Sequence, residues 1–161
     1  MKLLRTGKTG FVFQLGRRER QLLLETLDLY PLVPVSHHRL TRKDDNVQPD
    51  ENQRLLEESL AEQRRGNREQ VQAMLDKPHR FRQVKDGFEF VLAHTELEWL
   101  LQVLNDVRVG SWLALGEPEQ GAEPAVTKKN ARYLIAMEVS GMFQSFLLAA
   151  LGMSESPEWA G

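Results

Sequence analysis

Gly10-Phe11-Val12-Phe13-Gln14-Leu15 and Gly87-Phe88-Glu89-Phe90-Val91-Leu92 carry one pattern, which continues through Glu19/Glu96, Leu23/Leu100, Leu24/Leu101 and Leu27/Leu104. The shared string, G-F-x-F-x-L-x-x-x-E-x-x-x-L-L-x-x-L, recurs at a constant offset of 77 in a chain of 161 residues. Two such offsets nearly fill the chain, so the sequence predicts two copies of one supersecondary unit. Within the string, F-x-F-x-L alternates as a strand does, and E-x-x-x-L-L-x-x-L then follows helical spacing. The repeat bears on architecture and carries no chemistry of its own.

Each copy is expected to open with a hairpin. Lys2–Arg5 turns through Thr6-Gly7-Lys8-Thr9-Gly10 into Phe11–Leu15, and Arg80–Lys85 turns at Asp86-Gly87 into Phe88–Leu92. An Asp-Gly pair between apolar runs is a hairpin signal, because glycine reaches positive φ without steric cost. An isolated hairpin is marginally stable, so the two are expected to share one small antiparallel sheet, related by a pseudo-twofold axis. Two helices follow each hairpin. Arg18–Tyr30 is stopped by Pro31 and Pro34, and Glu51–Leu75 is polar, with a break expected at Gly66-Asn67. In the second copy, Thr95 and Glu98 form the expected cap of a helix running to about Leu115, and Thr127 opens an apolar helix over Lys128–Leu151. The reading is α+β and mostly helical, two ββαα repeats over 1–76 and 77–153 in one domain, with a flexible tail over 154–161. The core is expected to hold Phe11, Phe13, Leu23, Leu27, Phe88, Phe90, Leu100, Leu104, Phe143 and Leu147.

Composition sets outer limits. The chain has 41% hydrophobic and 27% charged residues and a formal net charge of −2, which gives no global drive toward nucleic acid or anionic membrane. With no cysteine, disulfides, thiolate metal sites and cysteine nucleophiles are excluded. The N-terminus lacks the apolar run of a secretory signal, and Glu138, Ser140, Gln144 and Ser145 interrupt the most lipid-like stretch. A cytoplasmic protein without a membrane span is the expectation.

Four constellations bear on chemistry. Thr6-Gly7-Lys8-Thr9 looks like the end of a phosphate-binding loop, but Lys2 stands where the pattern needs glycine, and a strand follows where it needs a helix. His37, His38 and Asp44 have the donor types of a divalent-metal site without its spacing. Lys2, Arg5, Arg80, Arg82 and Lys85 form a basic face if the hairpins share a sheet, while the phenylalanines are expected to face the core rather than stack on bases. Asn105, Asp106 and Arg108 lie on a helix whose apolar face is Leu97, Leu100, Leu101, Leu104 and Val107. Asp106 and Arg108 fall at its rims, and each is expected to hold a loop, with Arg39 a further member of the polar cluster. Arg108 is expected to be shielded. Glu19 and Glu96 open their helices, where a carboxylate complements the dipole. None of these residues is assigned a catalytic role.

Trp99-Leu100-Leu101-Gln102-Val103-Leu104-Asn105-Asp106-Val107-Arg108 resembles the W-L-x-x-L-N-D-x-R signature of a bacterial family catalogued as domain of unknown function 2017. The opening at Gly10–Leu27 and Arg39-Leu40 add to the resemblance, whereas Ser36–Asp45 departs from the family's proline-containing segment. The resemblance implies a mostly helical, cytoplasmic bacterial protein with no catalytic residues to transfer. It also implies a regulatory or proteostasis role, since members are often encoded near the substrate adaptor of the Clp protease.

The leading functional expectation is a non-enzymatic regulatory or protein-interaction module with an unidentified protein partner and no cofactor. A homodimer contact is expected through the 128–151 helix, whose apolar residues cover more of its circumference than one packing partner needs. The competing expectations are a nucleic-acid-binding regulator, whose affinity would fall steeply with salt, and a metal-dependent enzyme at His37/His38.

Overall fold

The alternation read at Phe11–Leu15 and Phe88–Leu92 is that of two strands, and they lie side by side. The computed structural model describes residues 1–34 and 49–155. Its elements run β1 (Lys2–Gly7), β2 (Gly10–Leu15), α1 (Arg17–Leu27), α2 (Pro49–Leu75), β3 (Phe81–Val84), β4 (Gly87–Leu92), α3 (His94–Ala114) and α4 (Ala131–Glu155). The fold is α+β, with one antiparallel sheet in the order β1-β2-β4-β3. The two hairpins thus meet through their second strands.

The register relates the two halves. Phe13 pairs with Phe90, its own counterpart 77 residues on, while Phe11 pairs with Leu92 and Leu15 with Phe88. A local twofold axis through the Phe13–Phe90 pair accounts for this register. It also explains the glycine that starts each string. Gly10 has φ 138° and Gly87 φ 144°. A Cβ at Gly10 would strike the carbonyl of Leu92, and one at Gly87 the carbonyl of Leu15. Each hairpin therefore needs glycine where its second strand begins against the end of the other. The turns are the two-residue loops Lys8-Thr9 and Lys85-Asp86, so Gly87 is a strand residue rather than part of the turn.

Phe11, Phe13, Leu15, Phe90 and Leu92 project from one sheet face and are at most 1% exposed. They meet Leu23 and Leu27 of α1, Leu97, Leu100, Val103, Leu104 and Val107 of α3, and Ala136, Val139, Phe143, Leu147 and Ala150 of α4. Nine of the ten expected core residues are buried. Phe88 is only half-buried, because Arg20 rather than an apolar residue covers its ring.

The helices depart from expectation at several points. α1 ends at Leu27, with Asp28 as its C-cap, before either proline. α2 runs without a break through Gly66-Asn67. α3 is capped at Ala93 and by Glu96, two residues earlier than the expected Thr95/Glu98 pair. α4 begins at Ala131 rather than at Lys128; Thr127 opens the turn that leads into it, its carbonyl accepting from Ala131 N while Thr127 and Asn130 exchange side-chain bonds of 2.7 and 3.2 Å. α4 continues to Glu155, beyond the boundary expected at 153.

The two halves diverge in their second helices. α4 packs along α3 and reaches α1 and β1. Among the described residues, α2 buries only Val71 and Met74. One helix among the described residues, over Ala131–Met153, is long and apolar enough to cross a membrane, with mean hydropathy 1.6 over its most apolar 18 residues, of which 33% are buried inside the domain.

Candidate functional site

The repeated glutamates are built into the fold. Glu19 Oε1 accepts from Gly16 N at 3.0 Å and Glu96 Oε1 from Ala93 N at 2.9 Å, so each satisfies an orphan amide at its helix start. Each also receives a cation from the start of its own hairpin. The N-terminal amine of Met1 pairs with Glu19 Oε2, and Arg80 and Lys77 with Glu96 Oε2. Burial raises the Glu96 carboxyl, but the bonds from Arg80, Ala93 N and Lys77 outweigh it and hold the group at about 2. At Glu19 burial is likewise outweighed, here by the terminal amine and Gly16 N, and the carboxyl lies below its ordinary range.

Arg80 is therefore not part of a basic face. It is 6% exposed, and its guanidinium bonds the carbonyls of Met74 (2.9 Å) and Val91 and both Glu96 oxygens. A buried guanidinium needs this many acceptors, and the residue just before β3 is where they converge. On the outer sheet face, Arg82 (2.6 Å) and Arg5 (3.7 Å) both pair with Glu89, whose side chain is 13% exposed. Lys2 and Lys85 remain exposed. Glu89 at the centre breaks up the positive strip, and Val12 and Val91 rather than aromatics lie beside it.

Asp106 holds the chain that leaves α1. Its Oδ1 accepts from Leu32 N at 2.7 Å and Val33 N at 3.3 Å, while Arg64 of α2 donates to Pro31 O at 2.7 Å. Gly110, one turn further along α3, lets this chain press close: a Cβ there would lie 2.7 Å from Leu32 Cβ and 2.8 Å from its carbonyl carbon. A cleft of about 330 Å³ opens beside it, lined by Tyr30, Arg64, Asn67, Gln102, Asn105 and Asp106 among others. Burial and the Asp106 charge push the Tyr30 hydroxyl above its ordinary range, against opposing effects of Asn67 and Arg64. Arg108 takes no part. It is exposed, and among the described residues it donates only to Asn105 Oδ1, at 3.1 Å on its own helix, so the expectation of a shielded Arg108 is corrected. The rim position that faces the loop is that of Asp106; the opposite rim faces solvent.

Arg39, His37, His38 and Asp44 lie outside the described residues. Among the described residues, no group of three or more histidines or carboxylates is placed to hold a metal ion.

A second cavity, of about 370 Å³, lies where α1 and α2 approach β3. Arg20 lines it, with its guanidinium 4.9 Å from the ring centre of Phe81 and 4.6 Å from that of Phe88. Sequence reasoning missed this residue, although the repeat marks it: position 20 corresponds to Leu97, which is fully buried. A charged residue at a core position of the other copy was the available signal.

The fold and these sites define a small α+β domain with a one-sided sheet and two polar clefts flanking α2. Compared with known proteins, the chain matches no family model, no curated protein and no solved structure.

Proposed function

We propose that this chain is a non-enzymatic cytoplasmic interaction module that self-associates through α4, in keeping with the resemblance carried by Trp99–Arg108. One observation carries the reading: α4 bears an exposed apolar stripe. Ile135 (54%), Met142 (39%), Phe146 (40%) and Met153 (62%) line up along one flank of a helix that also supplies core residues, and Leu148 (57%) is exposed further round the helix, beyond Glu138 and Ser145. Contiguous exposure of this kind marks interaction surfaces rather than ordinary scatter.

A second copy suits this face because it contains both projections and recesses. Gly141 and Gly152 have open space where a Cβ would stand, and a cleft of about 150 Å³ beside Ile135 is lined by Leu22 and Leu29. Large side chains beside small-residue recesses on one surface are what an isologous contact requires. A stripe along 25 helical residues is roughly 37 Å long and about 10 Å wide, hence about 400 Å² per partner. That is about half of a standard interface, so association is expected to depend on concentration in the micromolar range. Light scattering across that range tests it: the parent mass should rise from 18.5 kDa toward twice that value, and Phe146→Glu should remain monomeric with unchanged circular dichroism. A parent that stays at its monomer mass on concentrating rejects the reading.

A further inference from the structure

Two thioethers stand on the apolar flank of α4. Met142 is 39% exposed and Met153 62%, and they lie about three helical turns apart, in line with Ile135 and Phe146. The other methionines of the chain are better shielded: Met74 is buried in the core, and Met1 and Met137 are half-buried. With no cysteine in the chain, Met142 and Met153 are its most exposed sulfur-bearing side chains. Both fall on the one surface that lacks a cover.

A methionine side chain is flexible and polarisable, so it moulds itself to an irregular partner surface. The same thioether is open to peroxide. A sulfur lone pair attacks one peroxide oxygen, the O–O bond breaks, and the second oxygen leaves as water after proton transfer. Sulfur gives up two electrons, peroxide takes them, and the product is a sulfoxide. The new oxygen is a hydrogen-bond acceptor on a side chain that was apolar. On the exposed flank of a single chain, water solvates it and the fold has no reason to change. Between two apolar stripes it would lose that water and find no donor, because the side chains of Ile135, Met142, Phe146 and Met153 carry none.

We infer, resting on the self-association proposed for α4, that Met142 and Met153 form a modification site at which oxidants of the peroxide class switch that association off. Each state excludes the other. The contact between two copies covers both thioethers and shelters them from oxidant, while a sulfoxide on the flank opposes the contact. Association therefore slows oxidation by withdrawing the accessible monomer, and oxidation shifts the chain toward the monomer. The change is reversible, since methionine sulfoxide reductases restore the thioether, one enzyme for each sulfoxide epimer. Met74 is spared while the domain stays folded, because it is 4% exposed.

The test treats the full chain with hydrogen peroxide, maps the added oxygens by peptide mass, and measures association by light scattering before and after. Met142 and Met153 should oxidise ahead of Met74, and more slowly as protein concentration rises. The dissociation constant should rise about tenfold or more with circular dichroism unchanged, and the two reductases together should return it to its starting value. Met142→Gln/Met153→Gln places a polar group of similar length at both positions and should reproduce the loss without peroxide. In Met142→Leu/Met153→Leu, peroxide should leave the variant's own constant where it was. A parent that associates as before with both sulfoxides mapped overturns the inference and leaves self-association standing, and so does a peroxide-induced loss that persists in the leucine variant. A parent that is monomeric before any treatment overturns both.

Discussion

Glu96→Gln is the perturbation whose effect the structure states most fully. Glu96 caps α3 through Ala93 N and neutralises Arg80, and the two side chains are 19% and 6% exposed, so water screens the pair little. Its carboxyl is drawn from 4.5 down to about 2. At about 1.4 kcal/mol per pKa unit, this makes the ionised form worth roughly 3 kcal/mol to the folded state. The sign follows from the lowered value: the contribution is complete above the unfolded pKa of 4.5 and is lost as pH falls through that value toward 2. Glutamine imitates the protonated carboxyl. The stability gap between parent and variant should therefore be about 3 kcal/mol at neutral pH, hold to near pH 5, and close by about pH 2. Glu19 titrates in the same sense but is present in both proteins, so it cancels from the difference. Urea unfolding at a series of pH values measures the gap directly, and thermal melts should differ by roughly 6–12 °C at pH 7. A gap that stays constant from pH 7 to pH 2.5, or no gap at pH 7, would refute the argument that the charge on Glu96 anchors this end of the fold.

Other substitutions separate the residues around the α3 cleft. Asp106→Ala strips two backbone amides of their acceptor and should cost about 1–3 kcal/mol by chemical denaturation, whereas Arg108→Ala should change stability by less than about 0.5 kcal/mol. Gly110→Ala drives a methyl group into Leu32 and should cost about 1–3 kcal/mol while loosening the chain after α1, seen as faster amide exchange at Leu32 and Val33.

Much of the architecture is local, and local patterns are legible in sequence. The switch from period 2 to helical spacing at Gly10–Leu27 and Gly87–Leu104 located both strand–helix units, because alternation and helical repeat each follow from the geometry of one element. The doubled string carried further, since a glycine kept at both starts anticipates a close backbone approach at each. Cap details were less legible: Thr95/Glu98 fits the local capping rule, whereas Ala93 has no side-chain acceptor, yet Glu96 caps the helix through Ala93 N and is paired there with Arg80, the residue just before β3.

What tertiary structure alone decided is which charged residues are buried. Arg80, Arg82 and Arg5 are equivalent in sequence, yet one is enclosed by four acceptors and two flank Glu89 across the sheet. Asp106 and Arg108 sit two residues apart on α3, and only the path of the chain after α1 makes one an anchor and the other a solvent-facing side chain. Likewise the 77-residue offset determined that the chain has two related halves, but not that α4 would close over its half while α2 leaves a cavity at Arg20. Pattern and propensity act within an element over a few residues. The pairing of a charge, or the closing of a cleft, depends on groups brought together from distant parts of the chain, and that proximity is set only when the elements pack.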